Sequence, residues 1–141
     1  MAETTRAKLV WEGGLRLRAT NDSGREVVMD SPIQADRLGP SPVELLAMAI
    51  GGCTALDVVS ILGKMREPLT GLEVDVTAER APSHPRYFSA VSILFRLRGR
   101  GLSREKVDRA VELSHNTYCS VSASLRPDCP VKLEIEITDE G

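Results

Sequence analysis

The sequence has few of the features that mark secreted, membrane-bound or nucleic-acid-binding proteins. Its three cysteines are an odd number and too few for the disulfide framework of a small secreted domain. Its formal net charge is only −2, with acidic and basic residues interspersed, so no basic surface for nucleic acid or an anionic membrane is indicated. The first residues lack the apolar core of a signal peptide. We therefore expect a cytoplasmic protein that binds neither nucleic acid nor a membrane.

Internal repeats, low-complexity segments and an obvious linker are also lacking. A length of 141 residues suits a single domain, 1–141, that is large enough to bury a core. The apolar fraction of 42% and the charged fraction of 27% are ordinary for a globular protein. One globular domain is the prediction.

What the sequence does contain is a long apolar segment, Ser41–Met65, that begins like a helix. Ser41 suits the N-cap, Pro42 suits the first helical position, and Glu44 follows three residues after the cap, as in a capping box. Apolar residues then cover nearly every side, which is typical of a buried helix. The segment is interrupted by glycines and polar residues, and we judge it too short and too polar to span a membrane.

Gly51, Gly52 and Cys53 lie in the middle of this predicted helix. Each glycine inside a helix costs about 1 kcal/mol relative to alanine, so we expect another backbone to pack closely there. Cys53 beside that approach is the first candidate for chemistry. Asp57, one turn further along an apolar helix, must be paired or reach an interface, and we favour a packing hydrogen bond.

Short segments with alternating polarity predict strands on both sides of this helix. A second helix is expected from the N-cap Ser103 to about 117–119, followed by a short helix or an irregular stretch. The order βββ-α-ββ-α-β predicts an α+β fold with mainly antiparallel sheets. A helix that is apolar all round needs cover on every side, and a half-exposed sheet covers only one, so we expect an obligate homodimer. The predicted strands are 8–11, 15–19, 26–29, 72–78, 87–98 and 131–137.

Two cysteine-centred motifs together resemble a known family. They are GPSPVELLAMAIGGCTALDVVSIL around Cys53 and VDRAVELSHNTYCSVSASL around Cys119. The combination resembles the OsmC/Ohr family of peroxide-handling proteins, and more narrowly its OsmC-like subgroup, from about Leu9 to Ile137. The resemblance implies an OsmC-like α+β fold, in which antiparallel sheets wrap two central helices in an intertwined homodimer. It also implies a cysteine pair that reduces peroxides, preferentially organic hydroperoxides.

The resemblance assigns a role to each of the two cysteines. Cys53 would attack the peroxide as a thiolate and become a sulfenic acid, with which Cys119 would condense to a disulfide. A dithiol reductant, of the lipoyl type in the better-known branch of the family, would restore the pair. Metal, haem and flavin cofactors are not needed for this chemistry, and we expect none.

In that branch an arginine stabilises the thiolate and a glutamate holds the arginine through a charge-assisted pair. The family glutamate directly follows the proline of the helix start, where this chain has Val43. Glu44 comes one residue later and is turned by about 100° around the helix. Arg37, before the helix, and Arg16, in the N-terminal meander, are both candidates for the arginine. The expected site residues are therefore Cys53, Cys119, Glu44 and Arg37.

Other interpretations of the same residues stay open. The chain could be a non-enzymatic or weakly active dimer that binds a small apolar or redox-active ligand in its interface pocket, or a stress-induced structural protein. Cys129 is most simply an exposed loop residue, and His115 a favourable helix C-terminal charge or a group that tunes Cys119. A zinc site from Cys53, Cys119, Cys129 and His115 lacks the CxxC or HxxxH spacing typical of such sites, so no metal is expected.

Overall fold

The computed structural model describes residues 3–141, which fall into two compact units. The first unit ends at Leu46, and the second extends from Ala47 to Gly141. The elements follow the predicted order, with an added π-helical turn and a third short helix. They are β1 (Ala7–Trp11), β2 (Arg16–Asn21), β3 (Glu26–Asp30), α1 (Pro42–Lys64), β4 (Leu69–Arg80), β5 (Phe88–Gly99), α2 (Arg104–Leu113), the π-helical turn (Ser114–Tyr118), α3 (Ser120–Ala123) and β6 (Val131–Asp139).

The first unit is built on the predicted antiparallel meander β1-β2-β3. Arg16 and Asp30 face each other across the β2–β3 pair, and Arg16 Nε donates to Asp30 Oδ1 at 2.8 Å. Asp30 is buried and also accepts the backbone N–H groups of Leu38 at 2.6 Å and Gly39 at 2.9 Å. This ion pair anchors the loop that leads into α1. The Arg16 guanidinium and the two backbone donors outweigh desolvation and lower the pKa of Asp30 to about 2.

The sheet of the second unit has the order β4-β5-β6 and is mixed. β4 and β5 are antiparallel, but β5 and β6 are parallel, with Val91 opposite Val131. The expectation of antiparallel sheets was wrong at this pair. The chain between β5 and β6 contains α2, the π-helical turn and α3, and so makes the long crossover that parallel neighbours require. The central strand β5 buries alternate residues as predicted, namely Val91, Ile93, Phe95 and Leu97.

Helix α1 is buried on one side only. Ile50, Thr54, Val58 and Leu62, spaced four residues apart, are fully buried. On the opposite side the apolar side chains are open to solvent, with exposures of 58% for Met48, 73% for Leu56 and 46% for Val59. The prediction of burial all round is therefore wrong for the single chain, because the sheet of the second unit has only one helix-facing surface.

Gly51 marks a close contact with the sheet. A Cβ atom at Gly51 would lie 2.9 Å from Val76 Cγ2, on β4. A Cβ atom at Gly52 would meet nothing within 4 Å. The expected close approach exists at Gly51, but the neighbour is a side chain and not another backbone.

By length and composition, α1 meets the criterion for a membrane-crossing helix. It has 23 residues, and an 18-residue window within it has a mean hydropathy of 2.0. Our judgement that the segment is too short and too polar was wrong on both counts, since its few polar residues are widely spaced. The core helix of a globular protein meets the same criterion, so length and composition alone do not distinguish it from a membrane-spanning helix.

The second predicted helix is divided. α2 starts after the N-cap Ser103, whose side chain accepts the Lys106 N–H, and ends at Leu113. A π-helical turn then runs to Tyr118, where the Cys119 N–H donates to Ser114 O at 2.7 Å. The stretch left open as helical or irregular begins with the short helix α3. The π-helical turn sets the direction in which Cys119 enters the fold.

Candidate functional site

The two cysteines singled out in the sequence come together in the second unit. Cys53 lies on α1, and Cys119 lies between the π-helical turn and α3. Their Sγ atoms and a carboxylate oxygen of Asp57 all lie within 4.8 Å of one another. Asp57 is part of the group because it follows Cys53 by four residues and so lies on the same face of the helix. Both thiols are free.

Asp57 is paired within its own chain. Ser114 Oγ, buried at the start of the π-helical turn, donates to Asp57 Oδ2 at 2.9 Å. The expectation of a packing hydrogen bond is met, and its donor is a serine 57 residues away. Ser114 lies within the second predicted helix, and its sequence neighbours give no sign of this contact.

Cys119 is 3% exposed and held by the first turn of α3. Its Sγ accepts the Ser122 N–H at 3.4 Å, and the thiol contacts Ser122 Oγ at 3.2 Å. Cys119 thus acts as the N-cap of α3. The serine-rich SVSAS segment, which the sequence left without a role, provides these contacts.

The surroundings of Cys53 disfavour its thiolate. Burial is the largest cause that raises the pKa of Cys53, and the neighbouring Cys119 and Asp57 raise it further. The Val121 backbone acts in the opposite direction. A nucleophilic Cys53 therefore requires a cation in addition to the neighbours that the second unit provides.

The first unit contains the other two predicted site residues in direct contact. Arg37 Nη2 donates to Glu44 Oε1 at 2.6 Å. The capping box is formed as predicted, since Glu44 also accepts the Ser41 N–H at 3.1 Å while its own N–H donates to Ser41 Oγ at 3.2 Å. The Arg37 guanidinium and the Ser41 donors lower the pKa of Glu44 to about 2. Glu44 thus holds Arg37 despite its shift of one residue from the family position.

The other candidate arginine is engaged elsewhere in the same unit. Arg16 pairs with the buried Asp30 and donates to the backbone oxygen of Asp36 at 2.5 Å. These contacts give Arg16 a structural role in the loop before α1. Of the two candidates, only Arg37 contacts Glu44 in residues 3–46.

A surface groove of about 530 Å³ borders the cluster of Cys53, Asp57 and Cys119 in the second unit. Asp57 is one of its lining residues, so the groove reaches the carboxylate of the cluster. Apolar and polar groups share its walls. The lining residues are Asp57, Ser60, Ile61, Lys64, Met65, Leu113 and Tyr118.

Cys129 and His115 do not belong to the cluster of Cys53, Asp57 and Cys119. Cys129 is half-buried in the loop before β6, so the prediction of an exposed loop residue holds only in part, and burial raises the pKa of its thiol. His115 lies in the π-helical turn, and its Nδ1 is buried without a hydrogen-bond partner among the described residues. Its suggested effects on the helix terminus and on Cys119 stay predictions.

Comparison with known proteins shows a family whose sequence model includes the candidate site residues. The sequence model of the OsmC-like proteins matches residues 34–134, which include Arg37, Glu44, Cys53 and Cys119. Protein YhfA of Escherichia coli (strain K12) is 41% identical over 119 residues, which are 84% of this chain and 87% of that protein.

Two solved structures share the fold over nearly the whole length of this chain. A hypothetical protein from Aquifex aeolicus VF5 superimposes with a TM-score of 0.88 at 25% identity, over 99% of this chain and 100% of that one. The organic hydroperoxide resistance protein OhrB of Bacillus subtilis superimposes with a TM-score of 0.64 at 21% identity, over 95% and 98% of the two chains. The mixed α+β fold with two sheets is thus shared with both.

Proposed function

Because the chain belongs to the family of OsmC-like proteins, we propose that it is a thiol-dependent peroxidase that reduces organic hydroperoxides through Cys53 and Cys119. The observation that carries this proposal is the proximity of the two free thiols, whose Sγ atoms lie within 4.8 Å of each other. A disulfide needs an S–S distance of about 2.05 Å, so the two sulfur atoms must approach each other further for the bond to form.

The proposed reaction has three balanced steps. The Cys53 thiolate attacks the terminal peroxide oxygen, the O–O bond breaks, and Cys53 sulfenic acid and an alkoxide form; the alkoxide takes a proton from solvent to give the alcohol. The Cys119 thiol then attacks the sulfenic sulfur, so that a disulfide forms and water leaves. A dithiol reductant transfers two electrons and two protons to the disulfide, which restores both thiols and leaves the reductant oxidised.

The first step needs a positive charge to favour the Cys53 thiolate, since burial and the acidic neighbours oppose its formation. We assign this role to Arg37, held in place by Glu44. The 2.6 Å contact between them supports this assignment, as does the low pKa of Glu44, which keeps the carboxylate charged at any physiological pH. Arg16 is the weaker candidate because the buried Asp30 already occupies it.

We assign organic hydroperoxides as substrates on two grounds. Aliphatic and aromatic side chains such as Ile61, Leu113 and Tyr118 line the groove beside Asp57 and suit an organic group. The name of the Bacillus subtilis neighbour associates that protein with organic hydroperoxide resistance. A homodimer, in which a second copy covers the open face of α1, completes the proposal.

One observation favours a second candidate function. The raised pKa of Cys53 keeps its thiol neutral near pH 7, unless a cation approaches it. A neutral, half-buried thiol beside a partly apolar groove suits a binding protein for a small apolar or redox-active ligand. In that function the two cysteines lie next to Asp57 at the edge of the binding site and undergo no catalytic oxidation.

Intact-protein mass spectrometry after one equivalent of cumene hydroperoxide tests the peroxidase. We expect loss of two hydrogens through a Cys53–Cys119 disulfide, faster than with hydrogen peroxide. The Cys53→Ser variant should lose the reaction, whereas the matched Cys129→Ser variant should keep it. Metal-free protein, prepared with a chelator, is used throughout. Oxidation confined to Cys129, or none, would eliminate the peroxidase and leave the ligand-binding function.

A variant in the same oxidation experiment tests the role of Glu44. Glu44→Gln keeps an acceptor for the Ser41 N–H but removes the charge that holds Arg37. We expect the rate of Cys53 oxidation to fall about tenfold or more, because each unit of thiolate pKa changes the thiolate fraction tenfold. An unchanged rate would exclude the Arg37–Glu44 pair from the activation of Cys53.

A further inference from the structure

Asp57 is half-buried beside two thiols and has no part in the peroxidase reaction. In residues 47–141 its polar partner is the neutral hydroxyl of Ser114, and no lysine or arginine of that range forms an ion pair with it. A carboxylate and two ionisable thiols thus share one small space. Groups that become anionic together repel one another unless a cation lies between them.

From this geometry we propose that Cys53, Asp57 and Cys119 form a binding site for a thiophilic divalent cation of the Zn²⁺ class. The three ligand atoms lie within 4.8 Å of one another. Around a tetrahedral Zn²⁺, with bonds of about 2.0–2.3 Å, ligand atoms are separated by roughly 3.5–3.8 Å. Side-chain rotations about χ1 and χ2 cover the difference. Two sulfur ligands select zinc, cadmium or cobalt over magnesium and calcium.

Neighbouring groups orient all three ligands. Ser114 donates to Asp57 Oδ2 and leaves Oδ1 free to bind. The Ser122 N–H points at Cys119 Sγ, and the Val121 backbone stabilises the charged form of Cys53. Hydrogen bonds of this kind to thiolate and carboxylate ligands are typical of metal sites and change affinity by about 10–100-fold when removed.

Three protein ligands leave one tetrahedral position open. Asp57 also borders the groove of about 530 Å³, which gives a cation a path from solvent and gives the fourth position room for water or a small ligand. Binding converts two thiols to thiolates, so about two protons are released to solvent for each metal ion bound. No electron transfer is involved. The metal-bound thiols and the Cys53–Cys119 disulfide are therefore alternative states of the same residues.

Cobalt titration of the reduced protein without oxygen tests the site. We expect one equivalent of Co²⁺ to produce a thiolate-to-cobalt charge-transfer absorption in the near ultraviolet and intense d–d bands of tetrahedral coordination. One equivalent of Zn²⁺ should abolish both. Absence of the charge-transfer band at stoichiometric Co²⁺ would overturn the proposal.

Variants identify the ligands. Cys53→Ser and Cys119→Ser should each lose most of the band, whereas Cys129→Ser should retain it. Asp57→Asn keeps an acceptor for Ser114 and should weaken Co²⁺ binding at least tenfold with its thermal midpoint unchanged. Unchanged affinity in Asp57→Asn, or loss of the band only in Cys129→Ser, would refute the assigned ligands. The titration involves no peroxide, so its result is separate from that of the peroxidase test.

Discussion

At the scale of single residues, the buried Asp30 and the half-buried Asp57 have different kinds of polar partner. Asp30 is fully paired, by Arg16 and by two backbone N–H groups, and its charge is stable. Asp57 has a neutral hydroxyl as its partner in the second unit and lies against two thiols. The first arrangement fixes a loop, and the second leaves a group available for chemistry or for a cation.

The contribution of Asp30 to stability should depend on pH. Its pKa is about 2 in the folded protein and about 3.8 when unperturbed. Because the unfolded chain takes up the proton first, the stabilisation is complete above about pH 4 and is lost as the pH falls towards 2. Thermal unfolding followed by circular dichroism from pH 7 to pH 2 measures this loss.

The Asp30→Asn variant provides the comparison. At pH 7 we expect its midpoint to lie roughly 5–10 °C below that of the parent, because Arg16 loses its buried carboxylate partner and keeps only the exposed Asp36. Between pH 4 and pH 2 its midpoint should fall less steeply than that of the parent. Asp22→Asn changes an exposed carboxylate and should behave like the parent throughout. Equal slopes for the parent and Asp30→Asn would contradict the assignment.

The sequence predicts the proposed site residues better than the neighbours that contact them. Cys53 and Cys119 follow from two motifs, and Glu44 follows from the capping pattern beside Ser41. Ser114 and Ser122 carry no local signal, because their contacts depend on how α1 meets the π-helical turn. The choice between Arg16 and Arg37 also needed the fold, since the register of β2 and β3 places Arg16 opposite Asp30.

At the scale of elements, local sequence patterns predict where the strands lie but not the direction in which each pair of strands runs. Alternation predicted β4, β5 and β6 within a few residues, because a period of two depends only on which face is buried. The same period occurs in parallel and antiparallel pairs, so the alternation does not indicate that β5 and β6 are parallel. The π-helical turn was missed because Ser114 and Tyr118 are spaced like residues on one face of a continuing α-helix.

Gly51 is the element-scale contact that can be tested directly. Alanine there gains about 1 kcal/mol of helix propensity but forces a Cβ atom to 2.9 Å from Val76 Cγ2. Overpacking of this kind costs about 1–3 kcal/mol, so Gly51→Ala should lower the free energy of unfolding by about 1 kcal/mol. Urea unfolding measures the change. The matched Gly63→Ala variant, where a Cβ atom meets nothing within 4 Å, should be stabilised, and equal effects would argue against the contact.

At the scale of the whole molecule, α1 has an apolar face that the described residues leave uncovered. Its sequence is apolar all round, but residues of the second unit cover one side and leave Met48, Leu56 and Val59 exposed. Their positions at intervals of three to eight residues place them on one face together with Gly52, where a second helix can approach closely. A contiguous apolar face of this kind is typical of an interaction surface. The cover that we propose is a second copy of the chain.

Sedimentation velocity at micromolar concentration tests the homodimer. A chain of 15.3 kDa should sediment at twice that mass. Leu56→Lys should shift the protein to the monomer, because it places a charge without a partner in the apolar interface. Thr77→Lys, on the exposed face of β4, should leave the dimer intact. A monomeric parent, or a dimer that tolerates Leu56→Lys, would mean that α1 is not the interface, and the apolar face would then require another occupant.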